Sequence, residues 1–274
     1  MINHLLAALK AIPSSAFLFY FFVFSMSCIG IGWWLGLKDG STKYPLPTPT
    51  QFDPLTIAAL RGGWPSVFMT ALFTLWNHGH IDFTGSGKKT VITTISELKS
   101  SNVIKQEIYR WLPTPRRDLA HNVLLRSRIE EHLKSIYNEL ENTHLMRNKD
   151  EFVRIWMIFG PLSFALASIG GTKLLLEVSQ KGILTFLIFL VLYISLIFLL
   201  LLLEPWKTRA PTRLGDNYLK TLKIHYDWLK EETKTLETAS KNDNFDFCVA
   251  IFGLASLTGT IRRELWYFLP PYSN

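Results

Sequence analysis

Three stretches almost free of charge, 15–37, 152–176 and 183–203, constrain this chain more than any other feature of its sequence. At about 1.5 Å of helical rise per residue, each is long enough to cross a hydrocarbon layer about 30 Å thick. Apolar residues make up 48% of the 274, and they gather in these blocks rather than recurring with the period of a surface helix. The blocks predict lipid as their surroundings and a mainly α-helical membrane protein with about three transmembrane helices.

The first block is rich in Phe and closes on Trp33 and Trp34 ahead of Lys38, the composition of an interfacial aromatic belt. A cleaved signal peptide fits less well, because Lys10 alone supplies its basic start and no small-residue cleavage site follows. Glu177, Gln180, Lys181 and Gly182 separate the second block from the third, a turn short enough to force an antiparallel helical hairpin. The second block carries Gly160, Ser163, Ala167 and Gly171 at near-helical spacing, together with Pro161, which reads as a packing face with a kink. Basic residues cluster at one side of the blocks: Lys38 and Lys43, then Arg147, Lys149 and Arg154, then Lys207, Arg209 and Arg213. That bias places the amino terminus outside and the carboxyl-terminal tail in the cytoplasm. The expected order is an amino-terminal segment 1–14, spans 15–37, 152–176 and 183–203, a cytoplasmic region 38–151 and a cytoplasmic amphipathic tail 204–274.

Within the cytoplasmic region the punctuation is clear. Asp53 is a natural helix N-cap, Pro54 fits the first helical position, and Gly62 with Gly63 ends the helix after Arg61. A second helix begins near Pro65 and closes at Gly79, after which Ile81 and Phe83 alternate with polar residues, Thr84 to Gly87 turn, and Lys88 to Thr94 return as a strand. Helix, helix and hairpin in that order predict a winged-helix-like domain. Its second helix offers no Lys or Arg from Pro65 to Asn77, which argues against nucleic acid as a partner despite the net charge of +7. Further on, Leu125, Ile129, Leu133, Ile136 and Leu140 form the apolar stripe of a surface helix, with Glu130 and Lys134 spaced as an ion pair. In the tail, Leu219, Leu222, Tyr226 and Leu229 form a seam suited to packing on the cytoplasmic domain or to an interaction surface for a partner helix. The apolar run from Phe247 to Leu257 is too short to span and reads as a buried or interfacial helix.

No catalytic constellation emerges. Gly85 to Lys89 lacks the spacing of a phosphate loop, and no nucleophile elbow occurs. His78 and His80 flank Gly79 with Asp82 nearby, too small a set for a metal centre on sequence grounds, and two cysteines, Cys28 and Cys248, frame neither a zinc site nor a disulfide scaffold. The expected protein is non-enzymatic, with no cofactor and no metal.

Three passages, Asp53 to Gly63 with its Leu60-Arg61-Gly62-Gly63 core, Arg209 to Gly215, and Val249 to Leu257, resemble an uncharacterised family of bacterial membrane proteins frequent in cyanobacteria and actinobacteria. Its members share a Leu-Arg-Gly-Gly segment and a late Ala-Leu-Phe-Gly-Leu-Ala-Ala-Leu-like segment, and many run on into a Gly- and Cys-rich tail, whereas this chain ends at Asn274. The resemblance implies the bacterial inner membrane and brings no activity, cofactor or catalytic residue. The reading that follows is a membrane-anchored interaction or scaffold protein whose partners are the bilayer and a protein partner or a second copy. A small transporter or transport accessory, using the Gly160-Pro161 kink and small-residue face, and a membrane-tethered DNA-binding regulator are the alternatives.

Overall fold

In the computed structural model of the chain, the described residues are 12–37, 39–84, 91–98, 100–112, 122–148, 150, 153, 157, 160, 161, 164, 165, 168–173, 209–234, 236, 239–266 and 268. The chain divides into two compact units, each assembled from two separate stretches: Met1–Gly40 with Arg147–Ala210, and Ser41–Met146 with Pro211–Asn274.

In the first unit, helix α1 (Ser14–Leu37) buries Phe17, Phe21, Ser25 and Cys28, a stripe at spacings of four, four and three that marks one helical face. The rings of Phe17 and Phe21 stack with centroids 5.5 Å apart. Gly170 meets this stripe: a Cβ there would lie 3.1 Å from Phe21 Cζ. Lys173 is buried as well, its Nζ donating to the Ile12 carbonyl at 2.7 Å and standing 5.6 Å over the Phe17 ring. The other side of α1 exposes Phe19, Tyr20, Phe22 and Phe24.

These observations correct the membrane expectation. Among the described residues, no helix is long and apolar enough to cross a membrane. The fold class of three transmembrane helices is overturned, and with it the transmembrane description and the multi-pass placement in a bacterial inner membrane with the amino terminus outside. The physical reason lies in what an apolar block is evidence for. A run of Phe, Leu and Ile is equally the signature of a helix packed on protein, and the stripe on α1 packs on Gly170 and Lys173 of its own unit. The proposed third span, 183–203, lies outside the described residues, as does most of the second. Of the small residues singled out there, Gly160 and Gly171 have nothing within 4 Å of a Cβ position, and the close approach falls at Gly170 instead. Pro161 is helical and exposed.

The second unit is built around α2 (Pro54–Asn77). Asp53 caps it, its Oδ1 accepting from the Thr56 amide at 2.8 Å, with Pro54 at the first helical position. Gly62 and Gly63 break its backbone (φ −159°, ψ 21° and φ 63°, ψ −149°), and a Cβ at Gly62 would collide with the Ser66 side chain. Beyond the break every residue from Val67 to Asn77 is buried. The hairpin that follows pairs β1 (Ile81–Thr84) with β2 (Val91–Thr94), Ile81 opposite Thr94 and Thr84 opposite Val91. Its turn, residues 85–90, lies outside the described residues.

Helix α3 (Val103–Arg110) is capped by Asn102, and α4 (Val123–Asn142) by Asn122. Leu125, Ile129, Leu133, Tyr137 and Leu140 of α4 face the core, whereas Glu130 pairs with Arg126 at 2.8 Å and not with Lys134. After residue 210 the chain re-enters the unit as α5 (Arg213–His225), α6 (Asp227–Lys234), α7 (Asp243–Phe252), a short 3-10 turn (Gly253–Ser256) and α8 (Gly259–Trp266). Among the described helices of the unit, α7 and α2 pack on each other most extensively. The run expected to be a buried or interfacial helix is therefore a core helix, with Val249, Ala250 and Ile251 at most 1% exposed.

The unit is mostly helical with one two-stranded sheet, and this replaces the winged-helix-like description. In a winged helix the second helix is presented outward to a groove. Here every residue of that segment from Val67 to Asn77 is buried, which is the mark of a core helix.

Candidate functional site

The carboxyl-terminal end of α2 is closed by a Schellman motif. Gly79 adopts φ +74°, its amide donates to the Trp76 carbonyl at 2.9 Å, and the His80 amide donates to the Leu75 carbonyl at 2.9 Å. Sharp closure sends the flanking imidazoles to different places. His80 Nδ1 meets Ser96 Oγ at 3.0 Å, beside the hairpin, while His78 turns toward the amino-terminal turn of α7. There Nε2 lies 3.1 Å from Asp246 Oδ2 and 3.3 Å from Asp243 Oδ1. Asp243 and Asp246, three residues apart on a helix, share one face, and the helix amino terminus favours their charge. Asp246 is enclosed and Asp243 open, with side-chain exposures of 4% and 84%.

Asn77 organises the cluster. It is fully buried, and its Nδ2 donates to Asp246 Oδ1 and to the Asn242 carbonyl, both at 3.0 Å. Its Oδ1 accepts from Ser240 Oγ at 2.8 Å and from the Ser240 amide at 3.3 Å. One amide side chain therefore holds the 240–242 turn and fixes one carboxylate. The hydrogen bond with Asp246 raises the pKa of His78 against the opposing effect of burial, and the charge of Lys105 works to lower it. Burial, followed by the nearby His78, lowers that of His80. Asp82 turns away, its Oδ1 accepting from the Phe83 amide at 2.8 Å. The set that the structure gathers is thus His78, Asp243 and Asp246, not His78, His80 and Asp82. No local spacing marks it, because its two halves stand more than 160 positions apart in the chain.

The remaining residues singled out in the sequence are joints. Arg61 donates from Nη1 to the Val249 carbonyl at 2.7 Å, at the carboxyl-terminal end of α7 where the helix dipole is negative. Burial pushes its pKa down to about 10, so it keeps its charge at neutral pH. Gly253 stands against the guanidinium, at φ 69° and ψ −159°, and a Cβ there would lie 2.9 Å from Nη1. Thr212 caps α5 by accepting from the Gly215 amide at 3.1 Å, and it donates to the His144 carbonyl at 2.6 Å. A Cβ on Gly215 would collide with the Leu145 carbonyl.

Leu219, Leu222, Tyr226 and Leu229, read as an interaction surface, are buried in the core and unavailable to a partner. The exposed apolar residues of the same segment are Ile224, 79% exposed, and Trp228, 57% exposed, four positions apart and off that seam. Their signal in the sequence is that they fall outside the seam while being too large and apolar for a solvated face. No family model, curated protein or solved structure matches the chain.

Proposed function

We propose that this chain is a non-enzymatic interaction protein whose second unit offers the Ile224–Trp228 ridge to a protein partner. The observation that carries the reading is the exposure of Trp228 and of Ile224, four positions before it, on consecutive helices whose Leu219, Leu222 and Leu229 are buried in the core. A tryptophan held on a packed helix loses little conformational freedom on binding, and Trp is the residue type most enriched at the centres of protein interfaces. Lys223, Asp227 and Glu231, exposed neighbours of the two in sequence, supply charge of both signs to the same segment. Co-purification at native expression tests the reading. Partners recovered with the wild-type protein should be lost with Trp228→Ala, whose cost at an interface centre is about 2 kcal/mol or more, a thirtyfold weakening. The thermal midpoint should stay unchanged, because the side chain is exposed. Recovery of the same partners by both proteins, or of none by the wild type, refutes the assignment.

A further inference from the structure

We propose that His78, Asp243 and Asp246 form a binding site for a divalent transition metal of the zinc class. A tetrahedral ion with bonds of about 2.0–2.1 Å holds neighbouring ligand atoms about 3.3–3.4 Å apart. His78 Nε2 already stands 3.1 Å and 3.3 Å from its two carboxylate oxygens, and the three ligand atoms lie within 4.8 Å of one another. Rotation of the open Asp243 side chain closes the third edge. One imidazole nitrogen and two carboxylate oxygens leave a fourth position for water, the ligand count of zinc-class sites with an open coordination place. Magnesium and calcium prefer six or more oxygens and gain less here.

The surroundings point the same way. Ligating carboxylates are usually oriented by a second hydrogen bond, and Asn77, itself anchored to Ser240 and Asn242, does this for Asp246 while leaving Oδ2 directed at His78. The charge balance also favours a cation. Two carboxylates meet one imidazole, and the positive charges acting against a further cation are those of Lys105 and Lys241. A single imidazole N–H serves one carboxylate at a time, whereas a metal ion serves both.

Titration of the metal-stripped, full-length protein with zinc chloride, followed by calorimetry and by thermal unfolding, tests the site. The wild type should bind one zinc per chain saturably, with a midpoint that climbs with zinc concentration because the ion binds the folded form. Asp243→Asn alters an exposed side chain and should fold normally, yet bind zinc at least about tenfold more weakly. His78→Gln should do the same, and His80→Gln, on the Ser96 side, should bind as the wild type does. Absence of saturable zinc binding, an Asp243→Asn titration identical to the wild type's, or an equal response to magnesium chloride overturns the proposal. None of these outcomes depends on Trp228, so the interaction reading stands or falls separately.

Discussion

Single residues fix the joints of the second unit. Gly63 and Gly253 both occupy the region of positive φ with extended ψ that is nearly reserved for glycine, and Arg61, in the motif of the first, packs against the second. The Leu-Arg-Gly-Gly segment and the late Phe-Gly-Leu segment are thus two halves of one packing contact, in which a buried guanidinium is offset by the carboxyl end of a helix. Tyr218 is a second such residue. It is fully buried, packs edge-on against Phe52 at 5.8 Å, and donates from its hydroxyl to the Thr48 carbonyl at 3.1 Å, which ties the Pro-rich stretch to α5. Burial raises its pKa from 10.0 to about 12. Above pH 10 the unfolded chain therefore releases this proton while the folded chain keeps it. The stability contributed below pH 10 is lost as the pH rises toward 12. Tyr218→Phe should cost about 1 kcal/mol at neutral pH through the lost hydrogen bond. The same change should flatten the decline between pH 10 and 12, as denaturant midpoints on either side of that window would show. Parallel pH profiles for the two proteins would contradict this account.

Among the elements, those set by neighbouring residues could be read directly. Asp53-Pro54 announces the start of α2, Gly62-Gly63 its break, and Leu125, Ile129, Leu133 and Leu140 the inward face of α4, because caps, breaks and helical stripes depend on residues a few positions apart. The partner of each face could not be read. Tyr226 and Leu229 show the spacing of a seam whether they meet a second protein or their own core, and only tertiary packing decides. Likewise nothing near Asn77 announces Asp246, although their hydrogen bond determines how α7 docks. Asn77→Ala removes every side-chain bond that holds the 240–242 turn to α2 and leaves Asp246 buried with one partner fewer. The expected loss is about 3 kcal/mol, the upper range for stranding buried polar groups. Hydrogen exchange should localise it: the Ser240 amide, bonded to Asn77 Oδ1, loses protection while the central amides of α4 keep theirs. Uniform loss across both would mean that the clasp has no local role.

At the scale of the whole molecule, the chain interleaves its two units, and neither unit is contiguous in sequence. Apolar composition was the least legible feature here for a physical reason: it measures avoidance of water and carries no record of what replaces the water. Helix α7 packs on α2, with Phe245, Val249 and Ile251 buried, and the bond between Arg61 and Val249 spans 188 positions. Such distant pairing makes the second half of the unit indispensable to the first. Burying Phe245, Val249 and Ile251 contributes roughly 1.5–3 kcal/mol each, a sum comparable to the net stability of an ordinary domain, about 5–15 kcal/mol. A chain stopped after Ala210 leaves the face of α2 that receives α7 in water. It should therefore lose cooperative thermal unfolding of the Ser41–Met146 stretch and bind hydrophobic dyes. Supplying residues 211–274 as a separate polypeptide should restore the transition, since α5 and α7 carry their own caps at Thr212 and Asn242 and the segment's partners, α2 with the Thr48 and His144 carbonyls, all lie within 41–146. Calorimetry of the shortened chain with and without the added segment decides the matter. An unchanged cooperative transition without it would mean that α2 holds its fold on α3 and α4 alone, and that α7 is an accessory to the core.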